Sequence, residues 1–131
     1  MNTSSKAANG ATGAVLVVDD EAAIRETVAE LLRFEGYEVQ TAVHGADALR
    51  QVERSRPAAV LLDMRMPVLD GWGFARTLRD RGIDLPIVVM TAAQDARRWA
   101  SEIGANGYLA KPFDLVDVLS AVEGIIGAPP N

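Results

Sequence analysis

Two adjacent aspartates, a third aspartate, a threonine and a lysine each stand directly after a short apolar run. Asp19 and Asp20 follow residues 14–18, Asp63 follows 58–62, Thr91 follows 86–90 and Lys111 follows 107–110. Three carboxylates brought together repel one another, and their pKa values rise unless a cation sits among them. An all-oxygen donor set suits a hard divalent ion. Magnesium, held by one or two carboxylates with waters and phosphate oxygens, fits this inventory better than zinc or copper. A phosphate-like group drawn to such an ion needs positive charge and a hydroxyl donor on its other side, which Lys111 and Thr91 can supply. The chain has no cysteine, which excludes a disulfide framework, thiolate metal sites and thiol catalysis. Its one histidine, His44, cannot build an imidazole site alone.

The runs that deliver these residues alternate with helical patterns. Strands are expected over 14–18, 37–42, 58–62, 86–90 and 107–110, and helices over 21–34, 46–53, 70–81, 95–103 and 114–126. In the first helix Ile24, Val28, Leu31 and Leu32 recur at helical spacing and Gly36 supplies a stop. At the last, Asp114 can cap the start, and Gly127, Pro129 and Pro130 end it. The central strands are apolar throughout, as strands buried on both faces are. Five βα repeats of this kind imply an α/β fold with a parallel sheet covered by helices on both sides, since each crossover is right-handed and about a dozen residues long. Ligands of such open sheets bind at the carboxyl ends of the strands, where the polar residues stand.

The bulk composition is consistent with one domain. The 131 residues are 49% hydrophobic and 24% charged, enough for a core and within the size of a single folding unit. A formal net charge of −5 works against direct binding of nucleic acid or anionic lipid. Residues 1–13 are small and polar, with no apolar segment to serve as signal or anchor, and no run is long enough to cross a bilayer. The expected organisation is a disordered tail over 1–13, a domain over 14–126 and a C-terminal tail over 127–131, in a cytoplasmic protein that does not engage a membrane.

Four stretches, VVDDE at 17–21, LLDMRMPVLDG at 61–71, VVMTA at 88–92 and GYLAKPF at 107–113, resemble in order, placement and spacing the receiver domain of two-component response regulators. The resemblance implies a doubly wound (βα)5 fold of the flavodoxin-like, CheY-like type, with five parallel strands in the order 2-1-3-4-5. It implies that Asp63 accepts the phosphoryl group. Asp20 and Asp63 would bind Mg2+ directly, Asp19 through water, and the backbone carbonyl of Arg65 would complete the protein ligands. Lys111 and Thr91 would assist catalysis. Thr91 and Tyr108 would form the switch, and the Lys111-Pro112 bond would be cis. The donor would be a sensor histidine kinase or phosphotransfer protein. The chain would act enzymatically only on itself, in gaining and losing phosphate, and would regulate an unidentified output protein through helix 4, strand 5 and helix 5, as a monomer or phosphorylation-linked dimer. Arg65 and Ala93 hold positions that influence phosphate lifetime in the family.

Blander readings stand beside these. Asp20 before a helix reads equally as an N-terminal cap, Asp70 with Gly71 reads as a turn, and Thr91 could merely bond nearby backbone. A chain with eleven arginines and two lysines that places lysine at 111 points to a need for compact charge. Tyr108 reads as a half-buried core aromatic, His44 as an exposed loop residue, and Trp99 with Arg97 and Arg98 as an exposed docking face. A haloacid-dehalogenase-like phosphatase would need a second aspartate two residues after Asp63, where Arg65 stands. A pseudo-receiver that docks partners without phosphorylation, and a receiver cut from a longer transcriptional regulator or hybrid kinase, are the alternative readings.

Overall fold

The computed structural model describes residues 13–129. The tails expected over 1–13 and 127–131 therefore lie partly outside the described residues. Within them run β1 (Val15–Val18), α1 (Ala22–Phe34), β2 (Val39–Ala42), α2 (Gly45–Arg54), β3 (Ala59–Asp63), α3 (Gly71–Asp80), β4 (Ile87–Ala92), α4 (Ala93–Glu102), β5 (Gly107–Lys111) and α5 (Leu115–Ile126). All four strand pairings are parallel and the order is β2-β1-β3-β4-β5, the arrangement expected from the sequence.

Alternation along the strands explains why they are apolar on both faces. Val15, Val17, Leu61, Val88, Met90 and Leu109 pack with Val28 and Leu32 of α1 and Val118 and Val122 of α5. Leu16, Val18, Val60, Leu62 and Val89 point the other way, onto Ala48 and Val52 of α2, Phe74 and Leu78 of α3, Trp99 and Ala100 of α4, and Ile103 just after it. Each aliphatic side chain so enclosed stabilises the fold by about 1.5–3 kcal/mol.

Several boundaries differ from expectation, and most differences concern the site. β3, β4 and β5 extend through Asp63, Ala92 and Lys111, so Asp63, Thr91 and Lys111 belong to the sheet rather than to the loops after it. α4 begins at Ala93, directly after β4, because Ala93 and Gln94 are good helix formers and no breaker separates them from Thr91. β2 starts at Val39. Tyr37, expected in that strand, is instead buried beneath the end of α5, its hydroxyl donating to the Gly127 carbonyl at 2.9 Å. Side chains fix the starts of α3 and α5: Asp70 Oδ1 accepts from Gly73 N at 2.9 Å, and Asp114 and Asp117 form a reciprocal capping box.

Candidate functional site

Register builds the site. Val18 lies opposite Leu62, Asp63 opposite Met90, Thr91 opposite Ala110, and Ala92 opposite Lys111. The next residue of β1's chain, Asp19, thus arrives beside Asp63, and the ends of four neighbouring strands bring Asp19, Asp63, Thr91 and Lys111 to one edge. Asp19, Asp63 and Thr91 are buried, at 0%, 6% and 5% exposure. They are the buried polar residues among the described residues.

Asp19 is held on both oxygens. Its Oδ1 accepts from the Glu21 backbone N–H at 2.9 Å, and its Oδ2 accepts from Lys111 Nζ at 3.0 Å. The same ammonium lies 3.5 Å from Glu21 Oε1 and 3.7 Å from Asp63 Oδ1. Glu21, not Asp20, is the N-cap of α1, and it makes no side-chain capping bond. Asp20 is exposed at the mouth of the site and stands outside the capping position. Carboxylate oxygens of Asp19, Asp20 and Asp63 all lie within 4.8 Å of one another, the one such acidic group among the described residues.

Electrostatics follow from this packing. Burial pushes the Asp63 carboxyl up to about 7, with the charges of Asp19 and Asp20 adding to the rise and Lys111 opposing it. Burial alone would lower the Lys111 ammonium, but its hydrogen bond to Asp19 and the charges of Asp19, Asp63 and Glu21 raise it instead. One lysine therefore neutralises three carboxylates incompletely. A divalent cation fits the remainder: the donors are oxygens, Asp63 and Asp20 are not committed to capping bonds, and one wall is open to water. Asp19 already accepts one hydrogen bond on each carboxylate oxygen, from Lys111 and from the Glu21 backbone N–H.

The β3–α3 loop is fixed by close approaches. A Cβ on Gly71 would lie 2.5 Å from Met64 Sδ and 2.8 Å from Met64 Cα, and one on Gly45 would lie 2.5 Å from the Leu69 carbonyl oxygen. Glycine is required at both. Val68, 77% exposed, adopts a left-handed φ of 69°, which a β-branched residue resists. The Lys111-Pro112 peptide is cis.

Other residues depart from the sequence reading. Trp99 is not an exposed docking residue: it is 5% exposed, because with Ala96 and Ala100 it forms the buried face of α4, continued by Ile103 at the helix end. Arg97 and Arg98 remain outside. Tyr108 is half-buried as expected, at 47% exposure, but stands outside both core clusters. His44 is no idle loop residue, since its Nδ1 accepts from the Asp47 N–H at 3.1 Å and caps α2. Asp70, read as a turn residue, is the N-cap of α3. Sequence reasoning missed Glu21, and it missed Arg25, whose Nη1 donates to the Asp19 carbonyl at 2.9 Å; placement on the first turn of the helix after Asp19 and Asp20 was the available signal.

Residues 15–123 match the model of the response regulator receiver domain. The chain belongs to this family. It is 42% identical over 114 residues to the response regulator MprA of Mycobacterium leprae, covering 86% of this chain and 50% of that protein. The MprA of Mycobacterium ulcerans is similar at 41% identity, with 49% of it covered. The chain thus spans about half the length of the curated relatives it matches. Among solved structures, the chemotaxis protein CheY4 of Vibrio cholerae superposes with a TM-score of 0.78 at 32% identity, over 86% of this chain and 98% of that one. The receiver domain of NtrX from Brucella abortus does so with a TM-score of 0.79 at 30% identity, over 86% and 97%. The receiver is thereby a component of two-component signalling, a role that calls for a phosphodonor and an output effector. No helix among the described residues is long and apolar enough to cross a membrane.

Proposed function

We propose that this receiver is switched by phosphorylation of Asp63 in a Mg2+-dependent pocket. The observation that carries the reading is one carboxylate, buried at the end of β3, that lies 3.7 Å from Lys111 Nζ and shares its pocket with two further acidic side chains. Asp20, Asp63 and the Arg65 carbonyl would hold the ion directly and Asp19 through water. When bound, Mg2+ supplies positive charge to the phosphoryl oxygens and lets the clustered carboxylates ionise together.

The residues of the chain do the positioning. A phosphohistidine of a sensor kinase or phosphotransfer protein presents its phosphorus at the mouth of the site, on the side of exposed Asp20. An ionised Asp63 oxygen forms the new O–P bond as the N–P bond breaks, and the imidazole leaves. Lys111 neutralises charge on an equatorial oxygen, and the Thr91 hydroxyl donates to another. In the reverse sense of the switch, water attacks the same phosphorus, the bond to Asp63 breaks, and inorganic phosphate departs. The chain accelerates only these two reactions of its own carboxyl group.

The added group carries about −1.5 to −2 charge at neutral pH. It draws Thr91 and Lys111, on adjacent strands, toward Asp63. Tyr108 on β5 is exposed and can turn inward as Thr91 moves, which would repack the face of α4, β5 and α5 that an output protein reads or through which a second receiver pairs. Incubation with acetyl phosphate should add one phosphoryl mass to the intact chain only when MgCl2 is present, and Asp63→Asn should abolish it. An addition that ignores Mg2+ or survives Asp63→Asn would contradict the reading and favour phosphorylation-independent docking.

A further inference from the structure

The loop that follows Asp63 is tied down unevenly. Met64 is buried, and its carbonyl accepts from Gly71 N at 2.9 Å. Met66 packs on the core beneath α3 and α4. Arg65 between them is exposed, and its guanidinium carbon lies 4.9 Å from the ring centroid of Trp99 on α4. Trp99 itself has little freedom. It meets Trp72 of α3 edge to face, with centroids 4.8 Å apart and rings inclined at 68°, and Trp72 Nε1 donates to Glu102 Oε1 of α4 at 2.9 Å. Arg98 brings a second guanidinium to within 5.9 Å of the same ring. The two indoles thus make a rigid platform spanning α3 and α4, and Arg65 rests on it.

We propose that Trp99 is a positioning residue for the divalent cation: by holding the Arg65 guanidinium it fixes the main chain at residue 65, so that the placement of α4 sets the affinity of the acidic pocket for Mg2+ without any α4 side chain touching the ion. This rests on the magnesium reading above, in which the Arg65 carbonyl is a ligand. Coupling between two sites is reciprocal, so occupancy of the pocket also stiffens α4, and the helix receives a signal from the β3–α3 loop as well as from Thr91.

The sign of one substitution separates positioning from plain charge. Were Arg65 only a positive charge near the pocket, Arg65→Gln would tighten Mg2+ binding. Positioning requires that it loosen it. The test is an NMR titration of the full chain with MgCl2, following the amide shifts of residues 63–65 and the Trp99 indole. We expect Arg65→Gln and Trp99→Leu each to weaken Mg2+ about two- to five-fold, the shift that loss of an exposed cation–indole contact produces. Their combination should weaken it no further, and Arg65→Lys should restore it. Should Trp99→Leu disturb folding, Trp99→Phe must act in the same direction. Tighter or unchanged binding in Arg65→Gln, or effects that multiply in the double variant, would overturn the proposal while leaving the magnesium site intact. If the unaltered chain shows no saturable shift with MgCl2, the magnesium reading fails first and the coupling falls with it.

Discussion

The middle of the sheet and its carboxyl edge differ by a single residue along each strand. Val18, Leu62 and Met90 are enclosed and stabilising, whereas Asp19, Asp63 and Thr91, one position on, are just as buried but carry groups that burial penalises. The same strands therefore stabilise the fold along most of their length and give up stability at the end where chemistry occurs. Substitutions should move stability in opposite directions on either side of that one-residue step.

The largest effect is expected in the interior. Leu62→Ala should destabilise the chain by about 3–4 kcal/mol in urea unfolding, since Leu62 is wholly buried against α2–α4 and leaves a cavity. A cost below about 1 kcal/mol would mean that the core closes over the loss.

Its neighbour should behave oppositely. The Asp63 carboxyl has an ordinary value of 3.8 and sits at about 7 in the folded chain. Below 3.8 both folded and unfolded states hold the proton. Between 3.8 and about 7 only the folded state does, so the stability of the metal-free chain declines as pH rises, and the loss is complete above about 7. Asp63→Asn should flatten this decline and, in a chelator at pH 8, stabilise the chain by about 2–3 kcal/mol. MgCl2 should then raise the melting temperature of the unaltered chain and leave that of Asp63→Asn nearly unchanged.

Smaller effects belong to the loop that joins the two regions. Gly71→Ala forces a Cβ against Met64 and should cost about 2 kcal/mol, read by thermal denaturation. Val68→Gly should instead stabilise the chain by about 1 kcal/mol, because it relieves the left-handed backbone of a β-branched residue. A loss on Val68→Gly would show that the exposed valine packs against something the strain conceals.

The architecture was legible because its signals are local and repeated: five apolar runs, each followed by helical periodicity, and a polar residue at the end of four of them. The candidate site was legible for the same reason, since parallel strands carry their terminal residues to one edge whatever the detail of the helices. What escaped was long-range or conformational. Trp99 was misplaced because its α4 turn, with Arg97 and Arg98 before it, reads as polar until the packing of Ala96, Ala100 and Ile103 shows which face turns inward. Tyr108 is half-buried as read, but it stays out of the core because β5 is an edge strand. The left-handed Val68 carries no signal in its residue type, and the reach of Arg25 back to Asp19 depends on how α1 leaves the sheet.

Asp63, and no other group in the acidic cluster, is expected to carry the phosphoryl bond. Borohydride reduction of the acetyl phosphate-treated chain converts an aspartyl phosphate to homoserine, which peptide sequencing by mass spectrometry locates directly. Homoserine at position 63, formed only with MgCl2, is the expected result. Homoserine at 19 or 20, or none in a sample whose intact mass shows the phosphoryl group, would contradict it.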